Sequence, residues 1–240
     1  MENPNLIIPE YSIIILIFHR SHELVDMARD CVASVKNSGS NQEIIIVDNG
    51  STVRYDWENL CDTYIRLNKN WGISHGWNMG LKASRGKYKV IIGDDVIVHD
   101  GWLEAMKEGM NKPNAGMCNP HVEHLPAGIG IVENYKWPSG ACFMLTQDVI
   151  DKVGYFAEET YFPANHEDLD YWTRLYKAGL KIYTNFGLTV QHLEGQTVHS
   201  PDISSKNGQT KQAFLDKWGF DPIPVFFGDA VMPSFDNLKK

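Results

Sequence analysis

The sequence predicts an α/β fold with a mostly parallel central sheet, flanked by helices, and a small antiparallel part late in the chain. Strands and helices alternate through the first hundred residues, which is the pattern of strand–helix–strand units with right-handed crossovers. The first strand, Ser12–Phe18 (SIIILIF), is an uninterrupted apolar run. Such runs are typical of parallel strands that are covered on both faces.

The elements of the first half follow from local periodicity. Apolar residues recur at helical spacing from Leu24 to Val35, and Gly39 supplies a stop. In chain order, we predict a strand at 12–18, a helix at 24–35, a strand at 43–47, a short strand at Ile65 and Leu67, a helix within 71–83 and a central strand at 88–92.

After residue 100 the alternation is weaker. In chain order, we predict a helix at 102–110, a loop at 111–138 with short strands near Met117 and Ile129, a strand at 140–146, a helix at 147–153, an irregular segment at 155–166, a helix at 167–178, strands at 180–184 and 188–192, and a helix at 209–218. The segment 220–240 contains several prolines and has no clear period, so it receives no assignment.

Composition limits the class of protein. The 240 residues are 43% hydrophobic, enough for a full core, and the net charge of −8 without a long basic run argues against non-specific nucleic-acid binding. The cysteines show no CxxC spacing, which favours reduced, buried thiols over a zinc site or disulfides. No segment approaches the roughly 20 apolar residues of a membrane span, and the run Ile13–Phe18 is too short for a signal peptide. We expect a cytoplasmic protein, or one peripheral to a membrane; the sequence does not predict the oligomeric state.

The central strand ends in two adjacent carboxylates, Asp94 and Asp95, after Gly93. In open α/β sheets the carboxyl ends of strands are where ligands bind. Adjacent carboxylates repel unless a cation or proton relieves them, and Asp is a hard ligand for Mg2+ or Mn2+ bridging to phosphates. Gly-Asp-Asp is also good turn chemistry, and taken alone the stretch fits a turn slightly better.

Three further places at strand ends or helix starts carry polar groups: Asp48, the pair Glu167 and Asp168, and His192. Each has a structural explanation. Asp48 fits an Asx turn, the acidic pair is favoured by the helix dipole, and His192 could be a hydrogen-bonded strand-end histidine. Only their combination on one scaffold indicates a site.

Several runs resemble inverting, nucleotide-sugar-dependent glycosyltransferases of family 2, which have the GT-A fold. They are SIIILIFHR, EIIIVDNGS, NWGISHGWNMGLKASRGKYKVIIGDDVIV, GACFMLTQDVIDKVGYF, YFPANHEDLDYWTRLYKAGLKI and VQH, within about residues 12–193. The resemblance implies a GT-A (Rossmann-like) domain over residues 1–225, with a nucleotide-binding half at 1–100 and an acceptor-binding half at 101–225. A C-terminal tail at 226–240 would follow.

The resemblance also implies residue roles. The nucleotide sugar would contact Phe18, His19, Arg20, Asp48, Asn78, Gly80 and Asp94. Asp95 and His192 would hold Mn2+ or Mg2+, and Asp168 would be the catalytic base, with Glu167 as the alternative. Because sugars stack on aromatic rings, we expect Trp137 and Tyr161 at the acceptor site, whereas Trp172 on the apolar helix face is expected in the core.

The sequence departs from the family pattern twice. Gly93 stands where relatives have the first acid or amide of the metal motif, and Phe18-His19-Arg20 stands where they often have an aromatic-Asn-Arg step. The implied activity is transfer of a hexosyl or deoxyhexosyl group to a hydroxyl of a saccharide or glycoconjugate, by metal-assisted single displacement with inversion. UDP is the first donor nucleotide to expect, with dTDP next and GDP third.

Two alternatives stay open. A catalytically inactive relative that binds nucleotide sugars or glycans is favoured by Gly93 and opposed by Asp95, Asp168 and His192. A sugar nucleotidyltransferase is less favoured, because it would need a Gly-rich loop with Arg or Lys after the first strand, where His19-Arg20-Ser21 stands.

Overall fold

A computed structural model of the chain describes residues 8–133, 136–193 and 204–235. The strands are β1 (Tyr11–Ile17), β2 (Gln42–Asp48), β3 (Thr63–Arg66), β4 (Tyr88–Gly93), β5 (Val96–Ile97), β6 (Ala115–Val122), β7 (Ile131–Glu133), β8 (Cys142–Thr146) and β9 (Lys181–His192). The helices are α1 (His22–Ser38), α2 (Ile73–Ala83), α3 (Trp102–Met110), α4 (Gln147–Val153), α5 (Glu167–Lys177), α6 (Asn207–Trp218) and α7 (Pro222–Phe227).

The strands form one sheet in the order β3-β2-β1-β4-β8-β6-β9-β5, and β7 pairs with β9. The four strands β3, β2, β1 and β4 are parallel. β8 runs antiparallel to both β4 and β6, β6 and β9 are parallel, and β5 and β7 are antiparallel to β9. The prediction of a mostly parallel sheet with a smaller antiparallel part is confirmed.

Both faces of the sheet are covered, which explains the uninterrupted apolar strands. In β1, Ile13, Ile15 and Ile17 pack on one face with residues of α1 and α3, whereas Ile14 packs on the other face with residues of α2, α4 and α5. All four isoleucines are fully buried. Each contributes about 1.5–3 kcal/mol by its burial.

The predicted elements match well where periodicity is local, and differ where pairing is distant. The strands predicted at 180–184 and 188–192 are a single strand, β9, because a register shift opposite Pro120 and His121 absorbs the residues between them. β6 is the short strand predicted near Met117, extended to eight residues, and β7 begins two residues after Ile129, near which the other short strand was predicted. α7 lies in the unassigned C-terminal segment, across the predicted boundary at 225. Parts of the predicted loop (134–135) and tail (236–240) lie outside the described residues.

No helix within the described ranges is long and apolar enough to cross a membrane.

The register of the parallel strands sets the position of the site. Ile17 of β1 pairs with Asp48 of β2, and Leu16 pairs with Gly93 of β4, so these strands end at one edge. The end of β9 joins the same region, because His192 pairs with Val96 directly after the Asp94-Asp95 turn.

Candidate active site

A cavity of about 750 Å³ opens at the carboxyl edge of the parallel strands. Residues of both halves of the chain line it, among them Phe18, Asn49, Asn70, Asp94, Asp95, His124, Pro138, Gly140, His166, Glu167, Asp168, Trp172, His192, Ile223 and Phe227. Of the residues that the sequence analysis singled out, the cavity therefore brings together Phe18, both aspartates after β4, the acidic pair at the start of α5, and His192. Trp172 is buried in the core beneath it, as expected.

Asp95 and His192 form a close pair at one side of the cavity. The Asp95 Oδ2 and His192 Nε2 atoms are 3.2 Å apart, and the Leu193 N–H donates to the Asp95 carbonyl oxygen at 2.9 Å. A steric constraint explains the glycine at position 93, since a Cβ there would lie 2.7 Å from Asp95 Oδ1. A larger residue at this position would collide with the carboxylate in its present place.

The pair fits a hard divalent cation. A carboxylate oxygen is a ligand that Mg2+ and Mn2+ prefer, and a neutral imidazole nitrogen is a common metal ligand in proteins. Two adjacent ligands of an octahedral ion at ~2.1 Å lie about 3 Å apart, close to the 3.2 Å between Asp95 and His192. Within the described ranges no group of three or more His, Cys, Asp or Glu side chains is arranged to hold a metal. A bound ion would therefore need ligands beyond the side chains of the described residues, for which substrate phosphates and water are suited.

Asp94 is held by His19, which follows the end of β1. Its Oδ2 lies 2.9 Å from Nε2 of His19, which is fully buried and packs on Trp57 with ring centroids 5.6 Å apart. Burial raises the pKa of Asp94, and the contact with His19 opposes that rise. Arg20 is exposed, and its guanidinium lies 5.3 Å from the centre of the Phe18 ring.

Asp168 is the carboxylate best suited to take a proton. Its Oδ1 accepts from the Leu169 N–H at 2.8 Å, and its Oδ2 lies beside Gly140, where a Cβ would be 2.8 Å away. Burial raises the pKa of Asp168 to about 6. The group is thus still mainly ionised at neutral pH, but it is a stronger base than its position at a helix start indicates.

Glu167 is adjacent to Asp168, but its environment is different. It is buried, and its Oε2 has no hydrogen-bond partner in the part of the chain that the structure describes. Burial, reinforced by the charge of Asp168, raises the pKa of Glu167 well above its usual value. Burial therefore favours the protonated form of Glu167.

Asp48 lies at the carboxyl edge of the parallel strands, as predicted, but it does not line the cavity. Its carboxylate accepts from the Ser51 N–H at 2.7 Å, from the Tyr64 hydroxyl at 2.8 Å and from the Arg66 guanidinium. These bonds close the turn after β2 and tie it to β3. The carboxylate is almost fully buried among them, so a nucleotide could reach it only if these contacts changed.

Asn78 and Gly80 also lie away from the cavity lining. The Asn78 side chain bonds to the backbone of Phe156 at 2.9 and 3.0 Å and to Glu158 at 2.8 Å. A Cβ at Gly80 would lie 2.3 Å from the Ile14 side chain, so the glycine allows α2 to approach β1. Both residues therefore fix α2 against the sheet and the 156–158 segment. Their expected role beside the diphosphate stays a prediction.

The two aromatic residues expected at the acceptor site have different positions. Tyr161 is only 1% exposed, and its hydroxyl donates to Asp170 at 3.1 Å. It does not line the cavity, and its expected role at the acceptor site stays a prediction. Trp137 is 39% exposed. It does not line the main cavity, but its ring lies 5.5 Å from that of Phe227, which does.

Some lining residues were not recognised from the sequence. Asn49, assigned only to a turn, accepts from the Trp71 N–H at 2.9 Å and donates to Asn70 at 3.1 Å, which holds the loop before α2. Asn165 and His166 adopt left-handed backbone, with φ of 78° and 73°, and turn the chain into α5. The tolerance of Asn for this conformation is the signal that could have found the turn.

Comparisons with known proteins agree with this architecture. The model of the family described as Glycosyl transferase family 2 matches residues 12–170. The chain is 26% identical over 114 residues to Glycosyltransferase GlyG of Streptococcus pneumoniae serotype 4 and 27% identical over 175 residues to Uncharacterized glycosyltransferase R363 of Acanthamoeba polyphaga mimivirus. The alignments cover 43% and 61% of this chain and only 36% and 65% of those proteins.

Solved structures show the same fold. The TM-score is 0.69 to the crystal structure of GalNAc-T7 with UDP, GalNAc and Mn2+, at 14% identity, covering 88% of this chain and 49% of that one. It is 0.62 to S. aureus TarS 1-349, also at 14% identity, covering 76% of this chain and 60% of that one. The predicted GT-A fold is thereby confirmed.

Proposed function

The chain belongs to glycosyl transferase family 2, and we propose that it transfers a sugar from a nucleoside diphosphate sugar to a hydroxyl acceptor with inversion at the anomeric carbon. The observation that carries this proposal is the arrangement of one cavity. The Asp95–His192 pair lies on its lining together with Asp168, an ionised carboxylate with a raised pKa. A single displacement needs these two functions, a stabilised leaving group and a base.

The proposed base is Asp168. An alcohol is a poor nucleophile until its proton is removed during the attack, and a positioned carboxylate contributes typically ~100- to 10,000-fold. A base works best when its pKa is close to the operating pH, and burial raises the pKa of Asp168 to about 6. Glu167 is the weaker candidate, because its burial favours the protonated form, which cannot accept a proton.

The proposed cation is Mn2+ or Mg2+, held by Asp95 and His192. Support comes from their 3.2 Å separation and from the similar fold of GalNAc-T7, whose structure contains UDP and Mn2+. When bound, such an ion supplies Lewis-acid neutralisation of the charge that develops on the departing diphosphate. The same relative makes UDP the first nucleotide to test.

The departure at Gly93 does not favour an inactive binding protein. A side chain there would crowd the Asp95 carboxylate, with a Cβ 2.7 Å from its Oδ1. The glycine therefore leaves room for the proposed metal ligand, where relatives use an acid or amide.

Turnover with a defined donor panel tests the proposal. UDP-glucose, UDP-galactose, UDP-N-acetylglucosamine, UDP-N-acetylgalactosamine and dTDP-rhamnose would be incubated with Mn2+ and p-nitrophenyl glycoside acceptors, and the anomeric configuration of the product read by NMR. We expect inversion, and a loss of ~100-fold or more in Asp168→Asn. Asp148→Asn, at an exposed carboxylate on α4, is the matched control. A retained configuration, or near-normal turnover in Asp168→Asn, would overturn the proposal.

A further inference from the structure

Helix α7 forms one wall of the cavity. Ile223 and Phe227 both line it, and at i and i+4 they lie on the same face of the helix. The opposite face is buried through Val225 and Phe226, and the Phe226 ring lies 5.5 Å from that of Trp172. This wall comes from a segment beyond the family match, which ends at residue 170.

The C-terminal end of α7 is held by one ammonium group. Lys136 Nζ donates to the carbonyl oxygens of Val225, Gly228 and Ala230 at 2.6, 2.7 and 2.6 Å. The last carbonyl groups of a helix have no partners within the helix, and a cation is favourable there. Lys136 thus provides a hydrogen-bond donor for one carbonyl group of the helix end and for the carbonyl groups of two residues just after the helix.

The N-terminal end of α7 is held as well. The Asp221 side chain accepts from the Ile223 N–H at 3.0 Å, and its other oxygen pairs with Lys211 of α6 at 2.7 Å. A helix of six residues is too short to be stable by itself. Its position therefore depends on these two anchors and on its buried face.

The anchor at Lys136 is continuous with the proposed base. The next residue, Trp137, donates its N–H to the Phe226 carbonyl at 2.9 Å. Pro138 and Gly140 then line the cavity, and Gly140 lies against the Asp168 carboxylate. The segment 136–140 therefore contacts both α7 and the Asp168 carboxylate.

We infer that α7 is the acceptor-selecting wall, that Ile223 and Phe227 contact the apolar C–H face of a saccharide acceptor, and that Lys136 is the residue that positions this wall. The inference rests on the proposed glycosyl transfer. The chemistry of the wall supports it, because its two lining side chains are apolar and lack any group to bind phosphate. Asp95 and His192, the proposed ligands of a cation on the diphosphate, lie elsewhere on the cavity lining.

Hydrogen exchange tests the anchor without any substrate. In Lys136→Met, we expect the amides of residues 223 and 225–230 to exchange about tenfold faster or more, because three bonds to a charged group are lost. The amides of β1 and β4 should be unchanged. Lys152→Met, at an exposed lysine on α4, should leave 222–230 as in the parent. Unchanged exchange in Lys136→Met would overturn the positioning role.

Acceptor selectivity tests the wall. With the donor of highest turnover and Mn2+, KM and kcat would be measured over a panel of p-nitrophenyl glycosides for the parent, Phe227→Ala, Ile223→Ala and Lys136→Met, with Lys136→Arg as the conservative variant. We expect the order of acceptor preference to change and acceptor KM to rise about tenfold, with partial recovery in Lys136→Arg and an unchanged Kd for UDP. A uniform fall in kcat at unchanged acceptor order, or weaker UDP binding, would overturn the inference. If no donor is turned over by the parent, the proposed function fails, and the exchange result still decides whether Lys136 anchors α7.

Discussion

At the residue scale, burial gives two adjacent carboxylates different chemistry. Asp168 and Glu167 both line the cavity at the start of α5, where the helix dipole favours negative charge. Asp168 accepts the Leu169 N–H, whereas the Glu167 Oε2 has no partner among the described residues. The desolvation of the Glu167 Oε2 is therefore not offset by a hydrogen bond from the described residues, and burial raises the pKa of Glu167 well above its usual value.

The pH dependence of transfer should report Asp168. Because a base must be deprotonated, kcat/KM should rise with pH up to about 6, the pKa to which burial raises Asp168, and then level off. The measurement is a pH profile between about 4.5 and 8 with the best donor and acceptor. In Asp168→Asn the residual rate should lack this rise; an identical profile in the variant would assign the titration to another group.

Asp168 should also lower the free energy of unfolding at neutral pH. Folding raises its pKa to about 6, so the folded chain binds the proton more tightly than the unfolded chain, and stability falls as pH rises from ~4 to ~6. Without metal or donor, Asp168→Asn should therefore raise the free energy of unfolding at pH 7 by about 1–3 kcal/mol. Urea denaturation at pH 7 and pH 4 measures this. The gain should vanish at pH 4, and an equal gain at both pH values would contradict the electrostatic cause.

At the element scale, glycines at the ends of strands make room for carboxylates. Gly93 ends β4 beside Asp95, and Gly140 precedes β8 beside Asp168. A Cβ would lie 2.7 Å and 2.8 Å from the respective carboxylate oxygens. Neither φ is in the left-handed region, so these glycines are needed for space rather than for backbone conformation.

Alanine at these two positions should separate the two functions. Gly93→Ala displaces Asp95 and should weaken metal-dependent UDP binding, whereas Gly140→Ala displaces Asp168 and should lower kcat with UDP binding retained. The effects should be ~10- to 100-fold, the range expected for a catalytic group misplaced by about 1 Å. Gly208→Ala, on α6 where a Cβ meets nothing within 4 Å, is the control. Equal effects of Gly93→Ala and Gly140→Ala on both measurements would contradict the division of roles.

At the scale of the whole molecule, the cavity joins the two halves of the chain. Phe18, Asp94 and Asp95 come from the parallel half, and Asp168 and Phe227 come from the later half. A donor bound here would contact elements that are distant in sequence, and a ligand that binds only the folded chain stabilises it by mass action.

Binding of UDP with Mn2+ should therefore raise the melting temperature. At a concentration 100-fold above its dissociation constant the stabilisation should be ~2.7 kcal/mol. Thermal unfolding with UDP and Mn2+, with UDP and EDTA, and with Mn2+ alone measures the metal-dependent part. Asp95→Asn, which keeps the size of the side chain, should lose that part. An equal shift in the variant would move the metal ligand elsewhere, and no shift with UDP, dTDP or GDP would contradict a nucleotide-sugar donor.

The sequence by itself determined the class of fold and the edge at which polar groups collect. Apolar runs and helical spacing are local properties, and parallel strands necessarily end at one edge, so the chain order of strands and carboxylates was enough to predict Asp95 at the cavity. The same reasoning placed Asp168 and His192 there. It failed for β9, because the bulge that joins its two halves depends on pairing with β6, far away in sequence.

Tertiary structure decided what individual side chains do. Tyr161, Asn78 and Gly80 resemble site residues by position, yet their partners are buried groups that no local pattern reveals. The raised pKa of Asp168 and the anchoring of α7 by Lys136 also arise from contacts that only the folded chain makes. Desolvation and hydrogen bonding depend on what the folded chain brings next to a group, and that is set by contacts between residues distant in sequence.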